Sequence, residues 1–291
     1  QKRAPSVIDF LADLARRAGR RIPVRLVKGA YWDAEIKRAQ VEGYPGYPVF
    51  TRKPNTDVSY LANARRLFEA GDAVYPMFAT HNAQTIAAVH RMATGRPFEF
   101  QKLHGMGDDL YDEVIPADRL GVPCRVYAPV GSHEDLLPYL VRRLLENGAN
   151  SSFVNRITDE DVPVEELVRD PVAMVAGFDS AGHSIAHPRI PLPRDLYSNH
   201  TVQGFDRNNS MGANLADDNE LKTLAAQLDA HAGPWQAAPL VPGALPAGDT
   251  LAVTSPADRR VVVGHWQAAD AATVQRALAN AVAAQPAWDR T

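Results

Sequence analysis

The feature that most limits how this chain can fold is a repeat between residues 20 and 150. Each unit is a short apolar run, then a polar turn, then a helical stretch. Apolar runs at residues 24–28, 74–80, 98–103 and 124–128 read as strands, and helices fit 7–18, 58–69, 83–92 and 108–114. Strands that alternate with helices imply parallel βαβ units. About four such units make half of a (β/α)8 barrel, with a doubly wound sheet as the competing topology. The strands end in polar or glycine-rich runs: Lys28-Gly29-Ala30-Tyr31-Trp32-Asp33, Thr80-His81-Asn82, His104-Gly105-Met106-Gly107 and Pro129-Val130-Gly131. Chemistry at the carboxyl ends of strands is the habit of the barrel, so this distribution favours it.

Past residue 156 the pattern breaks. Residues 157–228 read as irregular, and the proline-rich run 186–194 cannot be helix or central strand. A helix is expected over 218–228, a second linker over 234–249, a Val-rich strand at 260–265 and an Ala-rich helix at 271–284. The expected organisation is therefore a C-terminal half-barrel (1–156), an irregular and helical linker (157–249) and the incomplete start of a further domain (250–291). A chain that opens at Gln1, close to the start of a helix, reads as a piece of something longer. Its formal net charge of -3, with no Lys/Arg stripe, speaks against nucleic acid as a partner. The single cysteine, Cys124, allows no disulfide framework and no Cys-based metal site. With no signal peptide and no apolar run of the roughly 18 residues that span a bilayer, the cytoplasm is the simplest home.

Two constellations carry chemistry. The segment 134–146 is apolar around most of a helix, with Tyr139, Arg142, Arg143 and Glu146 gathered in an arc of about 100°. Adjacent guanidiniums make a poor core face and a good bidentate clamp for a carboxylate, charged at any working pH. A solvated Arg–Glu face is the commoner fate of such residues, but the apolar surroundings point to an anion site. The second constellation is Arg25-Leu26-Val27-Lys28-Gly29-Ala30-Tyr31-Trp32-Asp33. A buried parallel strand does not hold both Arg and Lys unless each charge is paired or solvated. At a barrel mouth they suit an anionic or electron-rich ligand, with Tyr31 and Trp32 as flat walls. Packing of the Trp and snorkelling of the cations is the bland alternative.

These residues, together with Phe78-Ala79-Thr80-His81-Asn82, Gln101-Lys102-Leu103-His104-Gly105-Met106-Gly107, Tyr127-Ala128-Pro129-Val130-Gly131 and the run from Leu140 to Phe153, resemble the proline dehydrogenase barrel. The closer likeness is to the bifunctional, flavin-dependent proline utilization A family. That resemblance implies a distorted (β/α)8 barrel with FAD at the strand ends, and hydride transfer from L-proline to flavin N5. It implies a catalytic set of Arg25, Tyr127, Arg142 and Arg143. The arginine pair would grip the proline carboxylate, Tyr127 and Tyr139 would pack on the pyrrolidine ring, and Tyr31 and Leu103 would lie nearby. Arg25 would sit at flavin N5. Val27, Lys28, Gly29, Ala30 and Trp32 would line the cofactor, and Thr80, His81, Asn82, Gln101, Glu146 and Ser152 would complete its site.

The tail from about residue 251 resembles the beginning of an aldehyde dehydrogenase domain, through Ser255-Pro256-Ala257-Asp258, Val263-Gly264 and the Ala-rich helix. The resemblance implies an NAD-dependent glutamate semialdehyde dehydrogenase whose catalytic part lies beyond Thr291. For the parent it also implies a homo-oligomer with peripheral membrane or quinone contact. The family's first strands have no counterpart here, so the expected barrel is half built, and an inactive fragment is the non-enzyme alternative. Two rival chemistries remain: a Schiff-base aldolase at Lys28, and a metal site at His81 and His104. Gly105-Met106-Gly107 lacks the third glycine of a dinucleotide fingerprint and reads as a structural turn.

Overall fold

A computed structural model of the chain describes residues 1–29, 31–147, 163–182, 185–198, 201–202, 205–243 and 248–289. Two compact units divide between Ala213 and Asn214.

In the first unit, α1 (Ala4–Ala18) leads into β1 (Ile22–Leu26), α2 (Trp32–Val41) and α3 (Lys53–Glu69). Then come β2 (Val74–Ala79), α4 (Ala83–Ala93), β3 (Glu99–Leu103), α5 (Asp108–Asp112), β4 (Cys124–Tyr127) and α6 (His133–Asn147). The four strands form one sheet in the order β1-β2-β3-β4, every pair parallel, with Leu26 beside Phe78, Ala79 beside Gln101 and Leu103 beside Tyr127. Consecutive parallel strands joined by helices are the βαβ arrangement that the repeat predicts, consistent with an α/β barrel-like fold.

Strand side chains alternate between the two faces. Val74, Phe78, Phe98 and Phe100 point to the helices, where Ile8, Ala12 and Ala15 of α1 and Leu67 and Phe68 of α3 complete the core. Phe68, Phe78, Phe98 and Phe100 meet at centroid distances of 5.2–6.5 Å, several edge-to-face. Each such buried ring contributes about 1.5–3 kcal/mol by area, with roughly 0.5–1.5 kcal/mol more per aromatic pair.

The opposite face carries Arg25, Met77, Glu99, Gln101, Arg125 and Tyr127, and it is concave. Strands about 4.8 Å apart would place β1 and β4 roughly 14 Å apart across a flat sheet. Yet the Arg25 guanidinium lies 4.4 Å from the centre of the Tyr127 ring. Side chains of that reach, standing up from the first and last of four strands, meet only if the sheet curls toward them.

Three elements depart from expectation. The sequence reading names no helix over α2, although Trp32, Ile36 and Ala39 recur at helical spacing and Asp33 and Glu35 suit its first turn. The segment read as irregular from residue 157 contains α7 (Val164–Leu167) and α8 (Pro171–Ser180). Proline at the start of α8 is pre-set for a helix, and the Asp170 side chain accepts from the Val172 N–H at 2.9 Å. The proline-rich run 186–194 has no α-helix or strand, as expected, and ends in one 3-10 turn, Pro193–Asp195. It packs on a small second core of Ile36, Ala39, Tyr44, Tyr47 and Val49, where the Tyr47 hydroxyl donates to Pro191 O at 2.7 Å.

The second unit holds α9 (Asp218–Ala230), β7 (Trp235–Ala237), β8 (Thr250–Thr254), β9 (Val262–Gln267) and α10 (Ala271–Trp288); the short strands β5 (Thr201–Val202) and β6 (Phe205–Asp206) precede it. Its sheet has the order β7-β9-β8, with β7 and β8 not named by the sequence reading. Among its described residues only Gly264 and Thr273 are buried, so its apolar side chains build no core of their own.

Candidate functional site at the strand ends

Because all four strands run parallel, their carboxyl ends lie along one edge, and α6 returns over it. The helix is turned unusually: Leu137, Leu140 and Val141 are 52%, 47% and 46% exposed, while Tyr139, Arg142 and Arg143 are half-buried. The polar stripe, not the apolar side, faces the protein. The Arg142 guanidinium lies 4.9 Å from the centre of the Tyr31 ring beyond β1, and Arg143 lies 6.0 Å from that of Tyr139. Arg143 also acts electrostatically on His81 beyond β2. Arg25, Tyr31, His81, Leu103, Tyr127, Tyr139, Arg142 and Arg143 are thus gathered around the concave face and its upper edge.

His81 ties two strand ends together. Its Nε2 accepts the Leu103 N–H at 3.1 Å, which requires the neutral ring with its proton on Nδ1. Burial, then the charges of Arg143 and Lys102, push its pKa down to about 4. Gly107 makes room for the ring: at φ 68° it takes a left-handed turn, and a Cβ there would stand 3.2 Å from His81 Cδ2. The Gly105-Met106-Gly107 turn is therefore structural. Thr80 is buried, and its hydroxyl accepts the Asn82 N–H at 3.2 Å. Asn82 caps α4 by accepting the Thr85 N–H at 2.9 Å. Tyr111 donates to the Thr80 carbonyl at 2.8 Å.

The Lys28 side chain stands apart from this group. Its ammonium points into the helix layer, donating to Asp57 Oδ1 at 2.6 Å and Thr85 Oγ1 at 2.9 Å, with the Tyr60 ring at 5.4 Å. The alternation that turns Arg25 onto the concave face turns Lys28 away from it. Burial lowers the pKa of Lys28, and it opposes ionisation of Asp57, whose carboxyl Lys28 and Lys53 nevertheless hold below the usual range. An amine so engaged lacks the free lone pair a Schiff base needs. Trp32 likewise turns to the second core and donates its indole N–H to Phe50 O at 2.7 Å. Val27 is half-exposed just past β1, and Gly29 has a φ of 81° that admits close main-chain approach. Ala30 and Ser152 lie outside the described residues, as does the side chain of Glu146.

Lower on the concave face, Glu99 is buried and bound bidentately by Arg125, at 2.7 and 2.9 Å. Gln101 donates to the same carboxylate at 2.9 Å. Sequence reasoning missed Asp57, Glu99 and Arg125. A carboxylate inside an expected buried strand was the available signal, since such a group demands a partner. An open cavity of about 910 Å³ lies elsewhere, on the helix-covered side between α4 and α5, lined by Ile86, His90, Phe98, Leu110 and Val122 among others. Among the described residues no three His, Cys, Asp or Glu side chains come together as a metal site would need, and no helix is long and apolar enough to cross a membrane.

Residues 1–156 match the family model for proline dehydrogenase. Over the whole chain the sequence is 50% identical to the bifunctional protein PutA of Klebsiella aerogenes and to that of Escherichia coli K12, covering 22% of each. The fold is similar to the crystal structure of a variant of Bradyrhizobium japonicum proline utilization A, with a TM-score of 0.70 and 51% identity over 79% of this chain and 23% of that one. The chain spans about a fifth of the length of the curated relatives it matches.

Proposed function

This chain belongs to the proline dehydrogenase family, and from that premise we propose that its first unit supplies the substrate clamp and part of the cofactor floor of an FAD-dependent oxidation of L-proline to 1-pyrroline-5-carboxylate. In this reading residues 1–156 are the C-terminal half of the (β/α)8 barrel, 157–249 a linker, and 250–291 the start of an aldehyde-dehydrogenase-like domain. The NAD-dependent oxidation of glutamate semialdehyde belongs to the rest of that domain. Also proposed for the parent are homo-oligomerisation, a cytoplasmic location and passage of electrons to quinone at the inner membrane.

The observation that carries the reading is the inverted helix α6. Turning Arg142 and Arg143 toward the strand ends while exposing Leu137 and Leu140 makes sense if the guanidiniums serve an anionic ligand there. The residues present fit a flavin. Arg25 offers donors to carbonyl oxygens of a flat ring system, Tyr127 offers a wall, and the buried Gln101 offers a carbonyl oxygen. When bound, the flavin supplies the hydride acceptor at N5.

The protein's own contribution is positioning. Arg142 and Arg143 fix the carboxylate of proline, and Tyr31, Leu103, Tyr127 and Tyr139 enclose its ring and exclude water. Stacking of Arg25 on Tyr127 holds that guanidinium at the floor, where its charge favours an electron-rich reduced ring. Neutral His81 keeps the β2 and β3 ends at fixed separation without adding a cation beside Arg143. Replacing Arg143 with Met in the full-length protein should raise the proline KM and lower kcat/KM by about 2–4 kcal/mol, the scale of a lost charge-assisted pair. Unchanged steady-state kinetics would remove the clamp.

A further inference from the structure

The Glu99–Arg125–Gln101 group spans the adjacent strands β3 and β4 on the concave face, below the strand ends, and has no part in the clamp. Glu99 and Gln101 are two residues apart on β3 and so share the concave face. Arg125 reaches Glu99 from β4 with Nε on one carboxylate oxygen and a terminal nitrogen on the other. The hydrogen bond from Arg125 holds the Glu99 carboxyl below the usual range, so it is ionised and accepts only.

That charge dictates how Gln101 stands. Its Nε2 donates to Glu99 Oε1 at 2.9 Å and approaches Met77 Sδ at 3.2 Å, which uses both amide hydrogens. The reverse orientation would set the amide oxygen against a carboxylate oxygen, two acceptors face to face. The Gln101 side-chain oxygen, Oε1, is therefore the atom left for a ligand; the Tyr111 hydroxyl donates to the main-chain carbonyl instead, and Oε1 accepts no hydrogen bond among the described residues.

We propose that Glu99 is a positioning residue, which locks the Gln101 carboxamide so that its oxygen meets a ring N–H of the bound cofactor. The inference rests on the flavin reading above. Oxidised isoalloxazine carries a single ring N–H, at N3 in its pyrimidine edge, flanked by two carbonyls. An acceptor fixed by a buried charge selects that edge and rejects a ring whose N3 bears no hydrogen. Arg125 matters only through the carboxylate it pins.

The test uses the full-length protein, stripped of flavin and reloaded with FAD or with 3-methyl-FAD, together with FAD labelled with ¹⁵N at N3. Wild type should bind FAD about tenfold or more tightly than the 3-methyl analogue, one good hydrogen bond in a buried site being worth that ratio. It should also show a protected N3–H signal. Glu99→Gln, which keeps the size and removes the charge, should weaken FAD binding severalfold, narrow the discrimination toward unity and move the N3 resonance. Should Glu99→Gln fail to fold, Arg125→Met releases the same carboxylate and should have the same signature. A strut that merely joins β3 to β4 would lower stability and leave the discrimination untouched, and that result overturns the proposal. A wild-type protein that takes up no flavin at all would instead sink the functional reading beneath it.

Discussion

His81 shows how one side chain can be both a strut and a liability. Its neutral ring accepts the Leu103 N–H, and protonation would set donor against donor beside Arg143 and Lys102. With a folded pKa near 4 against 6.5 for the free group, the unfolded chain binds more protons between those values. Stability should therefore be fully present above about pH 6.5 and fall as pH drops toward 4. Denaturant titrations across that window should show a slope that His81→Gln largely removes; an unaltered slope would mean the ring does not carry it. Arg25, Gln101 and Tyr127 entered the sequence reading through the family resemblance, and alternation along their strands is what sets all three on the concave face. The Lys28 and Trp32 side chains turn to the helix layer and the second core, and a motif that names them as ligand contacts does not say whether main chain or side chain makes the contact. Glu99 and Arg125 were missed because an ion pair between strands depends on register, which a single sequence does not reveal.

Among the elements, α6 is the one whose amphipathicity misleads. Hydrophobic periodicity usually marks the buried face, whereas here the polar stripe is inward and Leu137, Leu140 and Val141 are outward. The stripe itself was readable; its direction required the strand ends it covers. Strands β1 to β4 and helices α3, α4 and α6 were legible to within about five residues because apolar runs mark them. The helices at α2 and α8 escaped notice, since their starts depend on first-turn acids and on Asp170 rather than on long apolar stripes. Asn82 tests how far capping explains a boundary. It accepts the Thr85 N–H at the start of α4, so Asn82→Ala should cost about 1 kcal/mol in unfolding free energy and Asn82→Ser only a fraction of that. Equal losses in both variants, measured by denaturant midpoints, would assign Asn82 some other role.

At the scale of the whole molecule, the curl of a four-stranded parallel sheet is what turns separate motifs into one site. Arg25 and Tyr127 stand on strands at opposite edges, yet they stack, and α6 brings its guanidiniums over the same rim. The repeat in the sequence conveyed parallel strands whose carboxyl ends share one edge. Curvature was open, because a doubly wound sheet satisfies the same pattern. The second unit was legible only as strands and helices, for its described apolar residues are not gathered around a core. The central claim is that this rim holds the carboxylate of proline against a flavin. The most direct measurement is anaerobic addition of L-proline to the flavin-loaded full-length protein, following loss of the oxidised flavin absorbance. Wild type should bleach, and an Arg142→Met/Arg143→Met variant that still holds flavin should need on the order of 100-fold more proline to reach the same bleaching rate. Bleaching of both proteins at the same rate and the same proline concentration would contradict the account.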